Sequence, residues 1–257
     1  MNPLEAAVLA VVQGLTEFLP VSSSGHLAMV SHLMNVPDGG LAFDIVLHLG
    51  TLLAVFVFYW KDITALVRGI VSREKKSLVL GATLVVGTIP VAVAGLFFGD
   101  FVEALRENMI FVSSALIVTG TILFLSGKIT QKSTPGVTFR RGLMVGLAQT
   151  IAILPGISRS GTTISTGLFA GLSREEAARF SFLLAVPAIL GAAVKELPHA
   201  SWSIPVGNVI IGFAVSAVVG FGALALLVRF VKQGKLSGFA WYCWAVAIAG
   251  LAAFQLG

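Results

Sequence analysis

Two short clusters of polar residues carry most of the side chains in this sequence that could perform chemistry. They read LPVSSSGH over 19–26 and LPGISRSGTT over 154–163, and each follows an apolar run. Hydroxyls, glycine backbone N–H groups and a guanidinium are groups that hold phosphate. The clusters therefore predict an anion site. The positions expected to bind phosphate are Ser22, Ser24, Gly25, Ser158, Arg159, Ser160, Gly161, Thr162 and Thr163.

Arg159 indicates which anion such a site would hold. A lone arginine in an apolar setting is costly, and its planar fork binds phosphate or carboxylate through two hydrogen bonds. The neighbouring hydroxyls favour a phosphate, which has several oxygens to satisfy. The alternative interpretation is that Arg159 only neutralises Glu17.

Several polar side chains near the first cluster suggest acid–base chemistry or cation binding. Gln13 and Glu17 lie four residues apart, on one face of a predicted helix. Glu17 could orient a base, share a divalent cation with a diphosphate, or simply pair with a basic side chain. Asp44 and His48 also share a helical face, and we interpret them as structural or as the edge of a cavity.

The nucleophile has two candidates in the first cluster. His26 could attack phosphorus itself or act as a general acid or base. Ser23 is the rival nucleophile, and either His26 or Glu17 could activate it. A buried core histidine is the plain alternative for His26, although the adjacent serines favour a chemical role.

The composition indicates an integral membrane protein. Apolar residues make up 56% of the 257 residues and charged residues only 11%, whereas soluble proteins carry about 25% charged residues. The single cysteine, Cys243, excludes an internal disulfide and a cysteine-based zinc site. The net charge of +5 does not indicate nucleic acid binding, because the basic residues lie in short loops between apolar runs.

The apolar pattern predicts an all-α membrane protein with six transmembrane helices and two re-entrant helical hairpins. About 20 apolar residues cross a bilayer, and the six runs of suitable length are 43–60, 78–97, 109–126, 177–197, 206–231 and 238–256. Two shorter runs, 4–19 and 142–154, stop at a Leu-Pro cluster, and a second moderately apolar stretch follows each. These segments predict hairpins over about 4–34 and 142–171.

The order of these segments predicts one membrane domain over 1–257, built from two inverted copies of one unit. The first copy covers 1–126 and the second covers 142–256, each a hairpin followed by three spans. Most of the 17 Lys and Arg residues then fall on one side, in the loops 61–77, 127–141, 173–179 and 229–237. That side is expected to be cytoplasmic, and the site is expected near the midplane between the copies.

The chain resembles the bacterial undecaprenyl-pyrophosphate phosphatase family of the bacitracin-resistance type. The matching segments are the E/Q-x-x-x-E segment at 13–17 with its serine–histidine tip, and the P-G-x-S-R-S-G-x-T motif at 155–163. The resemblance runs over essentially the whole chain. In one departure, Gln13 occupies a position where many members carry glutamate. Glu17, Ser23, His26, Ser158, Arg159 and Thr163 match functional positions of that family.

This resemblance implies hydrolysis of undecaprenyl pyrophosphate to the monophosphate and inorganic phosphate, which recycles the lipid carrier for peptidoglycan synthesis. It implies a multi-pass protein of the bacterial cytoplasmic (inner) membrane, with an active site facing the periplasmic side. It suggests dependence on Mg²⁺ or Ca²⁺, with Glu17 and Gln13 as metal positions, no organic cofactor, and association into homodimers. It leaves the nucleophile open between the serine and the histidine. A third alternative, from the residues themselves, is that His26 activates water.

A second function agrees with the same segments. Inverted repeats and broken helices are also typical of transporters. A transporter or flippase could carry phosphate or a polyprenyl phosphate through the same anion site without hydrolysing it. Transport gives no reason for a histidine beside the serines of the first cluster, which favours the phosphatase.

Overall fold

A computed structural model describes residues 1–34, 36, 40–129, 136–199 and 204–255. These residues form α-helices with no strand among them, so the prediction of an all-α protein is confirmed. The helices are α1 (Pro3–Phe18), α2 (Ser23–Leu33), α3 (Gly40–Phe58), α4 (Trp60–Val71), α5 (Lys75–Glu107), α6 (Met109–Gly127), α7 (Phe139–Ile151), α8 (Arg159–Phe169), α9 (Arg174–Glu196), α10 (Val206–Lys232) and α11 (Ser237–Gln255). A 3₁₀ turn at Leu197–His199 follows α9.

Several of these helices can cross a membrane. Within the described residues, α5, α6, α9 and α10 are long and apolar enough, and the bent pair α3 and α4 would bring the number to five. The described part of α11 is apolar but shorter. The chain is therefore a multi-pass membrane protein. Residues 130–135 of the predicted loop 127–141 and residue 256 of the last predicted span lie outside the described residues.

The helices extend beyond the predicted spans at two places. The chain bends by 76° after α3, and α4 occupies most of the predicted loop 61–77 because Ile63 and Leu66 pack against the core while charged residues face outward. Helix α5 continues well past residue 97 to Glu107, through the acidic segment. Its end is set by Asn108, whose side chain accepts from the Phe111 N–H and so caps α6.

Both polar clusters form a turn between two helices. Leu19 has an extended backbone, as expected for a residue before proline, and ends α1. Ser22 then caps α2 by accepting from the Gly25 N–H, and Ser158 caps α8 by accepting from the Gly161 N–H. The same serine-to-glycine spacing therefore starts the second helix of each pair.

Helices from the two halves of the chain pack on one another in matching pairs. Helix α1 packs along α10, and α7 packs along α5; α3 also contacts α10, while α9 contacts α5. The close approach of α7 to α5 depends on Gly146, where a side chain would collide with the backbone of Gly87. Because helices of one half pack on helices of the other half, the turns of the two helix pairs come together.

Candidate active site

The turns of the two helix pairs touch each other. Glu17, at the end of α1, forms an ion pair with Arg159, the first residue of α8. Pro20 lies against Gly161, and Gly156 lies against Gly25, where added side chains would meet tight contacts. The clusters, which are separated by more than 100 residues in sequence, therefore form one site.

Arg159 combines one fixed contact with one unused donor. Its Nη2 donates to Glu17 Oε1. Its Nη1 is buried and has no hydrogen-bond partner among the described residues. A buried donor without a partner is costly, and an anion in the adjacent cavity would satisfy it.

Glu17 accepts hydrogen bonds on both oxygens. Ser23 Oγ donates to Oε2 over 2.7 Å, and Gln13 Nε2 donates to the same oxygen over 3.0 Å. His48 Nε2 lies 3.6 Å from Oε2. A carboxylate that accepts directly from a serine hydroxyl is placed to take its proton.

The second turn is held in place by α6. Thr119 Oγ1 donates to the carbonyl of Gly156 over 2.8 Å and accepts from the N–H of Ser158 over 3.0 Å. Gly156 has a φ of +92°, and a side chain there would collide with the carbonyl of Val112. This turn therefore needs glycine both for its backbone conformation and for its close approach to α6.

A cavity of about 380 Å³ lies beside the ion pair. Six residues of the predicted site line it: Glu17, Ser22, Ser23, Ser24, Ser158 and Arg159. Its described lining does not include the other predicted residues, which are Gln13, Gly25, His26, Ser160, Gly161, Thr162 and Thr163. Thr163, for example, is fully buried and bonds to the Arg159 carbonyl and to Ser181.

The cavity has a second polar end, formed by residues outside the two clusters. Asp44 and His48 of α3 line it, and Asp44 forms an ion pair of 2.5 Å with Arg106 near the end of α5. Glu103 and Glu196 complete this polar end. Asp44 and His48 were visible as a pair on one helical face, whereas Arg106 enters only because α5 extends beyond its apolar run.

His26 has both ring nitrogens engaged within the fold. Nδ1 lies 2.8 Å from the carbonyl oxygen of Ser22, and Nε2 lies 2.9 Å from the hydroxyl of Tyr242. The imidazole also stacks on the Tyr242 ring. Tyr242 lies 216 residues after His26 in the chain, and no motif in the sequence links the two residues.

The comparisons with known proteins identify the family of this chain. Residues 6–249 match the family described as bacitracin resistance protein BacA. The chain belongs to this family. Curated relatives named undecaprenyl-diphosphatase include those of Methanosphaera stadtmanae, 39% identical over 96% of each chain, and Desulforapulum autotrophicum, 40% identical over 98% of this chain and 99% of the relative. The relative from Desulfosudis oleivorans is 42% identical over 95% of each chain.

Membership of the BacA family raises the question of a divalent cation at Gln13 and Glu17. The Gln13 amide presents N–H groups to Glu17, and both Glu17 oxygens already accept from donors. Among the described residues, no group of three or more His, Cys, Asp and Glu side chains is placed to hold a metal. Gln13 Oε1, in contrast, is buried and has no hydrogen-bond partner among the described residues, so one oxygen ligand is available to a hard cation. A divalent cation at Gln13 and Glu17 stays a prediction of the family resemblance, and the mechanism below uses none.

Proposed function

We propose that this protein hydrolyses undecaprenyl pyrophosphate to undecaprenyl phosphate and inorganic phosphate. That activity would recycle the lipid carrier for peptidoglycan synthesis and confer resistance to bacitracin. The observation that carries the proposal is the hydrogen bond from Ser23 to Glu17 in a cavity that also contains Arg159. The curated relatives named undecaprenyl-diphosphatase support the same reaction.

The first step is attack of Ser23 Oγ on the terminal phosphorus of the diphosphate. Glu17 takes the serine proton, a new O–P bond forms, and the P–O bond to the bridging oxygen breaks. The electron pair of that bond leaves with undecaprenyl phosphate. Glu17 passes the serine proton to this departing oxygen and is ionised again. Water then attacks the phosphoserine, Glu17 takes a proton from this water, the bond between phosphorus and Ser23 Oγ breaks, and Glu17 returns the proton to Ser23 Oγ as inorganic phosphate departs.

Arg159 stabilises the negative charge of the phosphoryl group during transfer. Positioning and electrostatic stabilisation are the main demands of phosphoryl transfer. The unpartnered Nη1 of Arg159 is the donor for a phosphate oxygen, and the Ser22, Ser24 and Ser158 hydroxyls are further donors in the cavity. This role explains the free Nη1, which an arginine serving only to neutralise Glu17 leaves unexplained.

The assignment of the nucleophile follows from the hydrogen bonds around the first turn. Ser23 is half-buried, lines the cavity and donates to Glu17. His26 is held by Ser22 and Tyr242 instead. These contacts favour Ser23 over His26 as the attacking group.

We place the protein in the bacterial cytoplasmic membrane with six spans. Helix α4 then lies on the cytoplasmic side, which carries most of the Lys and Arg residues. The helix pairs α1–α2 and α7–α8 are re-entrant hairpins of two inverted repeats, 1–126 and 142–256. The matched packing of α1 on α10 and of α7 on α5 supports this symmetry. Homodimers remain a prediction of the family resemblance.

The cavity opens to the periplasmic side in this arrangement. Its polar end is formed by residues near the start of α3 and the ends of α5 and α9. The opposite ends of these helices adjoin the basic segments 61–77 and 173–179, which belong on the cytoplasmic side. The isoprenoid chain of the substrate would lie in the bilayer beside the helices.

Release of phosphate from a C55 prenyl diphosphate by the purified protein in detergent tests this function. Wild-type protein should release inorganic phosphate, and Ser23→Ala should release almost none. A transporter would release none in detergent and would instead move a prenyl phosphate across sealed vesicles. Transport by wild-type protein without hydrolysis would therefore replace the phosphatase with the second function.

A further inference from the structure

The side chain of His26 serves the turn before α2. A carbonyl oxygen can only accept, so the contact of Nδ1 with the Ser22 carbonyl places the ring proton on Nδ1. In the neutral ring, Nε2 then accepts from the Tyr242 hydroxyl. Both nitrogens are therefore used by the protein, and the described cavity lining does not include His26.

Ser22, whose carbonyl is bound by His26, has an unusual backbone conformation. Ser22 has a φ of 70°, in the left-handed region that residues other than glycine rarely adopt. Its carbonyl accepts from the backbone N–H of His26 over 3.1 Å and from His26 Nδ1 over 2.8 Å. Because Ser23 comes next in the chain, the conformation of Ser22 sets the direction in which the Ser23 hydroxyl points.

Helix α11 supports this turn from the other side. The Tyr242 ring stacks on His26 with ring centroids 5.6 Å apart and planes inclined by 9°. The thiol of the adjacent Cys243 donates to the carbonyl of Pro20 over 3.8 Å. Two consecutive residues of α11 thus contact the turn that carries Ser23.

We infer that Tyr242 and His26 are positioning residues for the nucleophile. Tyr242 orients the imidazole, the imidazole holds the Ser22 carbonyl, and the strained turn directs Ser23 Oγ at Glu17. His26 then contributes through these hydrogen bonds, without exchanging a proton with the substrate. The inference rests on the proposed function, since it assigns roles within that reaction.

Tyr242→Phe tests the inference, with Tyr59→Phe as its matched control. The chain has two tyrosines, and Tyr59 packs against Phe58 and Phe182 at the bend between α3 and α4. Phenylalanine keeps the stacked ring but removes the donor to His26. Since misplacing a reacting group by about 1 Å costs roughly 100-fold, we expect kcat for phosphate release to fall about 10- to 100-fold. KM should stay within about twofold, because Tyr242 does not line the cavity at Arg159.

His26→Asn and His26→Ala separate positioning from proton transfer. The Asn amide can donate to the Ser22 carbonyl in place of Nδ1, but it does not exchange protons near neutral pH. We expect His26→Asn to keep at least about tenfold more activity than His26→Ala. Tyr242→Phe should have little further effect in the His26→Asn protein, because Tyr242 acts through the imidazole.

Two results would overturn the inference while leaving the phosphatase intact. One is a wild-type kcat in folded Tyr242→Phe; the other is folded His26→Asn that is as inactive as His26→Ala. Unfolding temperature and gel-filtration profile establish the fold of each variant. If wild-type protein released no phosphate, the proposed function would fail by itself.

Even without phosphatase activity, an NMR measurement on the substrate-free protein tests the contact between Tyr242 and His26. The ¹⁵N NMR signal of His26 Nε2, assigned with His26→Asn, should shift in Tyr242→Phe and stay unchanged in Tyr59→Phe. An unchanged signal in Tyr242→Phe would show that the tyrosine does not bond to the imidazole.

Discussion

The hydroxyl of Ser23 donates a 2.7 Å hydrogen bond to Glu17 across the break between α1 and α2. Pro20 ends α1, and Ser22, with its strained backbone, starts α2. As a result Glu17 and Ser23, six positions apart in the chain, face each other in the cavity. A continuous helix would place residues six apart on different faces. The broken helix is therefore what pairs the nucleophile with its base.

Replacing Ser23 with alanine should abolish turnover. The variant keeps Glu17 and Arg159 but has no hydroxyl to attack phosphorus, and we expect kcat to fall by about 100-fold or more. Ser24→Ala is the matched control, because Ser24 lines the same cavity without contacting Glu17. Equal losses in the two variants would show that Ser23 has no special role in the reaction.

Replacing Arg159 with lysine should separate charge from geometry. Lysine keeps the positive charge, but it cannot contact Glu17 and a phosphate oxygen through a planar fork. We expect kcat to fall about 100- to 1,000-fold, as when an oxyanion donor is removed. Steady-state phosphate release measures this, and a lysine variant within threefold of wild type would show that charge alone is sufficient.

Replacing Glu17 with glutamine should destabilise the protein as well as inactivate it. Arg159 would lose its ion-pair partner in a mostly buried position, and breaking a buried pair from one side costs about 3–5 kcal/mol. Thermal unfolding in detergent should show a lower Tm for Glu17→Gln. The double variant Glu17→Gln with Arg159→Gln should recover much of that loss while remaining inactive. No recovery would mean that Glu17 stabilises the fold through Ser23 and Gln13 instead.

The sequence predicted where the helices break because the cause is local. Pro20 and Pro155 cannot continue a helix in the usual way, and Ser22 and Ser158 cap the helices that follow. The sequence also predicted the contact between Glu17 and Arg159, as one of two interpretations of Arg159. The interpretation of 61–77 as a loop was wrong because α4 depends on packing of a narrow apolar face.

Other parts of the site depend on packing between distant segments and could not be predicted. Tyr242 reaches His26 because α11 packs on α6, and α6 also contacts α2, which carries His26. Helix α6 holds the second turn as well, through Thr119. Arg106 reaches Asp44 because α5 continues as a helix beyond its apolar run. Neither Tyr242 nor Arg106 lies in a motif that would link it to its partner.

Replacing Gln13 with glutamate should create a cation requirement or strengthen an existing one. The amide of Gln13 now donates to Glu17, whereas a second carboxylate four residues away would repel Glu17 and offer oxygens to a hard cation. We expect the Mg²⁺ or Ca²⁺ concentration that gives half-maximal phosphate release to fall at least about fivefold relative to wild type. Activity measured after chelation and over a cation titration tests this.

Gln149→Glu is a control for that experiment, since Gln149 is a second fully buried glutamine, on α7, that does not line the cavity. Its cation dependence should equal that of wild type in any protein that folds. If Gln13→Glu also titrates like wild type, position 13 has no part in cation binding.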